Sequence, residues 1–351
     1  MPHYFDRDPW LFNCANGTLD LRKGGLRSHS REDLLTKISP VEYWPDAKCP
    51  VWEAFLRRVF NGDNDLIEFM QKAIGYALTG CVTEKALFPL YGTGDNGKTT
   101  LLEAVRTVMG DYAGMVYIEA LMKKAQVAEK ERAFADLLGK RFVTSSEAAD
   151  GQALHEARVK HLTGMGKLSG RRIYGSAFEF DPQFKLFIDA NHKPVVSQSD
   201  DAIWNRFRMI PFSVPIPKAE QDRNLGSKLA AEAPGILAWA VRGCSKWQAD
   251  GLGVPEVVTR ATEDYRNEMD PVTDFIEDCC IQDPALVTPS TDLYTAYNQW
   301  CVVHREKTGS SKAFGTALER KGFPAVRTSE ARGRSGLALR HPPQGDTAYS
   351  A

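Results

Sequence analysis

The chain has 351 residues, 43% of them hydrophobic, and a formal net charge of -1. That length suits two or three domains with sizeable cores, and the composition excludes global disorder. The near-neutral balance says little about partners, because a balanced total can hide a local basic patch. Seven scattered cysteines, odd in number and without a CxxC pair, point to reduced thiols in the cytoplasm rather than to a zinc site or disulfide framework. No apolar run reaches the ~20 residues of a spanning helix, and the N-terminus has no apolar signal core, so no membrane partner is expected.

In chain order, the first element expected is a hairpin: Trp10, Leu11 and Phe12, an Asn16-Gly17 turn, then Leu19 and Leu21. Pro40, Pro45 and Pro50 punctuate a linker. Two helical patterns follow, one with Trp52, Phe55, Leu56, Val59 and Phe60 on a face, the other with Leu66, Phe69, Met70, Ile74 and Leu78. Residues 1–84 thus read as a mainly helical N-terminal domain. Over residues 85–269 short apolar runs alternate with helical stretches, as in α/β domains. The runs 86–91, 141–144, 185–189 and 208–212 suit a parallel sheet buried on both faces. A helical extension carries Leu225, Leu229, Ile236, Leu237 and Trp239 as core positions. After Asp270-Pro271 come three helices, around 275–280, 293–303 and 312–321, and two short strands at 325–327 and 337–339. That is the outline of a winged helix over 270–340, with a loose tail at 341–351.

Between the first strand and its helix, Gly92-Thr93-Gly94-Asp95-Asn96-Gly97-Lys98-Thr99 fits G-x-x-x-x-G-K-[ST] in full, and Thr100 continues into the helix. Glycines let backbone N–H groups turn inward around a β-phosphate, Lys98 brings charge toward the β/γ oxygens, and the Thr99 hydroxyl suits Mg²⁺. The pattern arises by chance in a chain this long at roughly one per cent. With strand and helix on the correct sides, ATP and Mg²⁺ are the expected ligands.

Three further features separate a motor from other nucleotide-binding enzymes. Glu147 follows the 141–144 strand, where a carboxylate can polarise water; the plain alternative is a capping or surface glutamate. Asn191 tips the 185–189 strand and can sense a γ-phosphate, or it is simply the turn residue before Pro194. Arg206 and Arg208 alternate at the start of the next run and are expected to point the same way. Either can stabilise transition-state charge on a neighbouring subunit's nucleotide, or else forms a surface ion pair.

In this order and spacing, the chain resembles the superfamily 3 helicases, in particular the helicase portion of phage and plasmid primase-helicases and their poxvirus relatives. The resemblance takes in residues 16–21, the phosphate loop, Lys160-His161-Leu162-Thr163-Gly164, residues 234–239, Tyr265-Arg266 and Asp270. It implies an α/β fold with a P-loop NTPase (AAA+-like) core. It also implies Lys98 and Thr99 as nucleotide and metal residues, Glu147 as catalytic carboxylate near the metal, and Asn191 as γ-phosphate sensor. Arg206 becomes the finger acting across subunits, with Arg208 the second candidate. Two departures stand out. Thr163-Gly164-Met165-Gly166 replaces the common Thr-Gly-Gly-Asp, and Ser146 rather than an acid precedes Glu147.

The resemblance further implies a pore hairpin between Glu147 and Asn191. Lys167, Arg171 and Arg172 are the DNA-binding candidates there, Lys167 first, although a charged loop facing only solvent fits the same residues. Arg305, Lys307, Lys312, Arg320, Lys321, Arg327, Arg332, Arg334 and Arg340 form a second basic concentration, suited to DNA or to an acidic protein face. The function expected is an ATP-dependent, ring-forming DNA helicase, hexameric, acting on single-stranded and forked DNA in phage, plasmid or mobile-element replication. A primase domain or polypeptide is the expected companion, and 3′-to-5′ travel is implied by the family alone. Two alternatives are an ATP-switched initiator or loader without unwinding and a small-molecule phosphotransferase.

Overall fold

The computed structural model describes residues 4–123, 127–145, 153–172, 174–196, 201–304, 306, 308–327 and 332–341. They form two compact units, one from residues 4–196 and 201–263, the other from residue 264 onward.

The first unit opens with an antiparallel meander, β1 (Leu11–Cys14), β2 (Gly17–Asp20) and β3 (Gly25–Arg27). Cys14 pairs with Gly17, so the connecting loop is Ala15-Asn16 and Gly17 already belongs to the second strand. The expected Asn16-Gly17 turn is displaced by one residue because Asn16 is held by a distant segment. Its amide donates to Tyr43 O at 3.0 Å and accepts from Tyr43 N–H at 2.9 Å. Next come α1 (Pro50–Val59) and α2 (Asn64–Leu78). Pro50 sits in a first turn, where its missing N–H breaks no helical bond. Asp63 caps α2 by accepting from Leu66 N–H at 3.0 Å. The two expected apolar faces are buried.

The chain then alternates: β4 (Leu87–Tyr91), α3 (Lys98–Met109), β5 (Ala113–Val116), α4 (Val127–Ala135), β6 (Phe142–Ser145), α5 (Glu156–Leu162), a hairpin of β7 (Leu168–Arg171) and β8 (Ala177–Phe180), β9 (Lys185–Ala190), α6 (Asp201–Trp204) and β10 (Ile210–Pro211). Five strands form one parallel sheet in the order β10-β4-β9-β6-β5. Edge strand β5 is absent from the expected strands: of its four residues only Val116 is buried, so no apolar run announces it. The chain leaves β4 for the far edge, returns through β6 and β9, then crosses to β10. The order therefore reverses beside β4, and ligands bind such sheets at the carboxyl ends flanking that point.

After α7 (Leu225–Ala231) and α8 (Ala233–Asp250), α9 (Glu256–Glu268) carries the chain into the second unit. The boundary expected after residue 84 does not separate cores. One hydrophobic cluster runs from Phe12 through Trp52, Phe69, Phe88, Phe187 and Trp239. Helix α2 is buried nearly all round, with Phe69 against Phe88 of β4 and Gln71 donating to Trp239 O of α8 at 3.0 Å.

Two buried basic side chains fasten this N-terminal segment to the foot of the sheet. Arg141, before β6, donates to Leu78 O at 2.7 Å and Leu11 O at 2.8 Å. Lys185, which opens β9, donates to Thr79 O. Each lies over a tyrosine ring, Tyr112 at 4.7 Å and Tyr76 at 4.4 Å. Burial pushes both pKa values down, that of Lys185 well below the usual lysine range with Arg141 adding repulsion.

The second unit contains α10 (Pro271–Cys279), β11 (Cys280–Pro289), α11 (Ser290–His304), α12 (Ser311–Arg320), β12 (Ala325–Arg327) and β13 (Arg332–Leu339). Three helices and two strands lie where the sequence places them, and β11 adds a third strand to an antiparallel sheet ordered β11-β13-β12. It has its own core around Phe275, Tyr297, Trp300, Phe314 and Leu337. All seven cysteines are free thiols. Among the described residues no helix is long and apolar enough to cross a membrane.

Candidate nucleotide site

The sheet delivers β4 to Tyr91 and α3 starts at Lys98, so residues 92–97 make the turn at the reversal point. Gly92 is required by close approach: a Cβ there would stand 2.2 Å from Asn96 Nδ2 and 2.3 Å from Phe212 O. Gly97, at φ +89°, is left-handed, a conformation glycine adopts freely, and it leads from the loop into the first turn of α3, an end of a helix that favours anions. Lys98 is buried, and its ammonium donates to Gly92 O at 2.6 Å, Asn96 Oδ1 at 3.1 Å and Asn191 Oδ1 at 2.8 Å. Two residues expected at the site, Lys98 and Asn191, thus meet although 93 positions separate them.

A residue given no role in the sequence analysis joins them. Asp189 accepts from the Thr99 hydroxyl at 2.8 Å, and its other oxygen stands 3.9 Å from Lys98 Nζ. The signal was available: residues two apart on a strand share a face, so an asparagine at the tip of β9 brings Asp189 to the same side. A hydroxyl and a carboxylate are hard oxygen donors, the kind Mg²⁺ uses while phosphates and waters complete its shell. Glu147 lies outside the described residues; β6 ends two positions before it, at Ser145.

The two arginines part company. Arg206 is half-buried and its Nε donates to Thr163 Oγ1 at 3.1 Å, just past α5. Arg208 folds back, donating to Asn205 O at 2.9 Å and Phe207 O at 2.8 Å, and burial lowers its pKa. Phe207 between them makes an isolated parallel bridge to Leu87, ahead of β10 at Ile210, and the two arginines hold different partners. Thr163, from the 160–164 motif, is a positioning partner for Arg206 that no local pattern reveals.

Between α5 and β9 the chain forms the β7–β8 hairpin, with Leu168 paired to Phe180 and Arg171 to Ala177. Lys167 stands at its foot, exposed, one residue before β7. Arg171 and Arg172 are exposed at the tip end, beside Tyr174, whose side chain is wholly exposed. In the second unit several basic residues are already engaged. Lys321 bridges Asp270 at 3.1 Å, Arg334 bridges Glu319 at 2.8 Å, and Arg340 donates to Cys280 O and Glu277 O. Lys312, Arg320, Arg327 and Arg332 are exposed, whereas Arg305 and Lys307 lie outside the described residues.

Comparison with known proteins agrees with this arrangement. Residues 2–61 match the D5 N terminal like family, residues 90–206 a family of unknown function (DUF5906), and residues 267–328 the Poxvirus D5 protein-like family. A protein of Acanthamoeba polyphaga mimivirus, provisionally named a helicase, is 25% identical over 319 residues, covering 84% of this chain and 33% of the relative. A protein of African swine fever virus, provisionally named a primase, is 24% identical over 324 residues, covering 84% and 33%. The chain shares its fold with the apo A form of the NrS-1 C-terminal region, at TM-score 0.53 and 13% identity over 84% of this chain and 76% of that one. These matches support the resemblance to the superfamily 3 helicases of the primase-helicase type. The chain spans about a third of the length of the curated relatives it matches. The match over residues 90–206 runs from the end of β4 to Arg206, so it encloses the loop, Asp189, Asn191 and the hairpin together.

Proposed function

We propose that the chain is an ATP-hydrolysing DNA helicase motor that works as a ring, with each nucleotide held by one protomer and completed by Arg206 of the next. The observation that carries this reading is a separation within the sheet. Lys98, Thr99, Asp189 and Asn191 gather at the carboxyl end of β4 and β9. Arg206 lies level with the opposite end, because Leu87 N–H donates to Arg206 O at 2.7 Å. From Leu87 to Gly92 the strand covers about 16 Å at ~3.3 Å per residue. That is roughly twice the reach of an extended arginine, so Arg206 cannot serve its own loop, and a neighbour's is the alternative. The strand order, with β10 beside β4, supports an AAA+-like core.

Chemically, the loop N–H groups and Lys98 would bind and orient the phosphates, with Lys98 exchanging present oxygen acceptors for phosphate oxygens. Thr99 and Asp189, with Glu147 the further candidate, would hold Mg²⁺, which supplies charge neutralisation on the phosphates. Asn191, already hydrogen-bonded to Lys98, is placed to register whether the terminal phosphate is intact, and Glu147 is the candidate base for water. Arg171 and Arg172 near the hairpin tip, more than Lys167 at its foot, are the groups we assign to the single strand. The helix-strand-helix-helix-strand-strand order of the second unit supports a winged helix, with exposed Lys312 and Arg320 on α12 facing duplex DNA. Phage, plasmid or viral replication alongside a primase is the setting we infer.

Unwinding of a forked duplex tests the proposal, with Lys98→Ala as control. ATP-dependent strand separation by wild type alone is expected. ATP-dependent DNA binding without separation, in an assembled ring, would replace the motor with a switched initiator.

A further inference from the structure

Arg206 is held within its own protomer at two corners of its guanidinium. Its Nε donates to Thr163 Oγ1 at 3.1 Å and its Nη1 to Ala202 O. Among the described residues the third corner, Nη2, has no partner, which leaves one end of a flat, rigid fork for an oxyanion. Thr163 is buried at the end of α5, and its hydroxyl donates to Val159 O at 2.8 Å. A hydroxyl has one proton, so toward Arg206 this oxygen can only accept.

Thr163 is itself firmly placed. Arg158, earlier on α5, donates to Ala120 O at 2.6 Å and Met122 O at 2.9 Å, which ties the helix to the segment after β5. Beyond Thr163, only Gly164, Met165, Gly166 and Lys167 precede β7. This link folds back on α5: a Cβ on Gly164 would stand 2.8 Å from Lys160 O, and one on Gly166 2.9 Å from His161 Cδ2. Thr163 therefore stands between the hairpin and the arginine. We propose that Thr163 is a positioning residue that acts across the subunit boundary. Its hydroxyl sets the orientation in which Arg206 meets the neighbouring protomer's nucleotide, and the short link to β7 makes that orientation depend on the hairpin. The proposal rests on the shared-site reading and gives it a control residue 43 positions from the arginine.

Thr163→Val keeps the shape of the side chain and removes the acceptor; Thr163→Ser keeps the acceptor. Both would be assayed by steady-state phosphate release with and without a single-stranded oligonucleotide. Thr163→Val should lose about tenfold to a hundredfold in kcat, the cost of misplacing a reacting group by about an ångström, and hold KM for ATP within about threefold. It should still bind the oligonucleotide but lose most of the stimulation that the strand gives wild type. Thr163→Ser, with its acceptor in place, should stay within about threefold of wild type. Mixed in equal amounts with Lys98→Ala, Thr163→Val should recover toward about a quarter of the wild-type rate, as a protomer lacking only its finger does. Mixed with Arg206→Ala it should show no gain over the two measured apart. A gain with Arg206→Ala, no gain with Lys98→Ala, an equal loss in Thr163→Ser, or stimulation kept in full by Thr163→Val overturns the assignment. Failure of Lys98→Ala and Arg206→Ala to complement each other refutes the shared site itself, a separate failure that takes the assignment with it.

Discussion

Mixing two inactive variants gives the sharpest test of the shared site. Lys98→Ala removes the ammonium that now holds Gly92 O, Asn96 and Asn191, so a protomer carrying it cannot use its own nucleotide. Arg206→Ala leaves the loop intact and removes the group lying about 16 Å away along β4. A finger arginine contributes about 10³ to 10⁵ in turnover, so each variant alone should be near background. When the two are mixed in equal amounts, a working interface needs its loop from an Arg206→Ala protomer and its finger from a Lys98→Ala protomer. Random assembly into heterologous interfaces meets both conditions at roughly one interface in four. Phosphate release should then recover to about a quarter of the wild-type rate if interfaces fire independently, and to less if they act in concert. The assay is steady-state phosphate release with a single-stranded oligonucleotide, using differently tagged variants so that co-purification confirms mixed assemblies. Mixed assemblies with no recovery, or Arg206→Ala at full activity alone, would refute the reasoning.

Three other outcomes follow from the same geometry. Asp189→Asn takes a charge from beside Thr99, and the Mg²⁺ concentration for half-maximal ATPase should rise by about tenfold to a hundredfold; a magnesium titration at saturating nucleotide reads it. Replacing Arg171 and Arg172 by alanine should weaken single-strand binding and flatten its dependence on log salt by about 0.7 for each phosphate that is no longer neutralised, measured by fluorescence anisotropy across a salt series. An unchanged slope would remove these two residues from the strand path. Lys185 has its pKa lowered by burial, so between its folded and unfolded values the unfolded chain binds more protons and stability rises with pH. Wild type should accordingly gain stability relative to Lys185→Met as pH rises toward the ordinary lysine pKa, as read from urea midpoints; a constant or shrinking difference counts against it.

The phosphate loop was legible from residue order alone because its chemistry is local: eight consecutive residues contain the glycines, the cation and the hydroxyl, and a strand and a helix flank them. Helices α1 and α2 and strands β4, β6 and β9 were legible for a related reason, since burial imposes a period on neighbouring residues. Edge strand β5 escaped because half-exposed Ala113, Gly114 and Met115 carry no such imprint. Tertiary structure alone decided that Asp189 meets Thr99, that Thr163 holds Arg206, and that Asn16 is held by Tyr43 rather than serving a local turn. It alone decided, too, that the first 84 residues share a core with the sheet and put α1 beside the loop. Each of these is a bond or packing surface between segments tens to hundreds of residues apart, and one sequence read along its length carries no record of which distant partners the folded chain brings together.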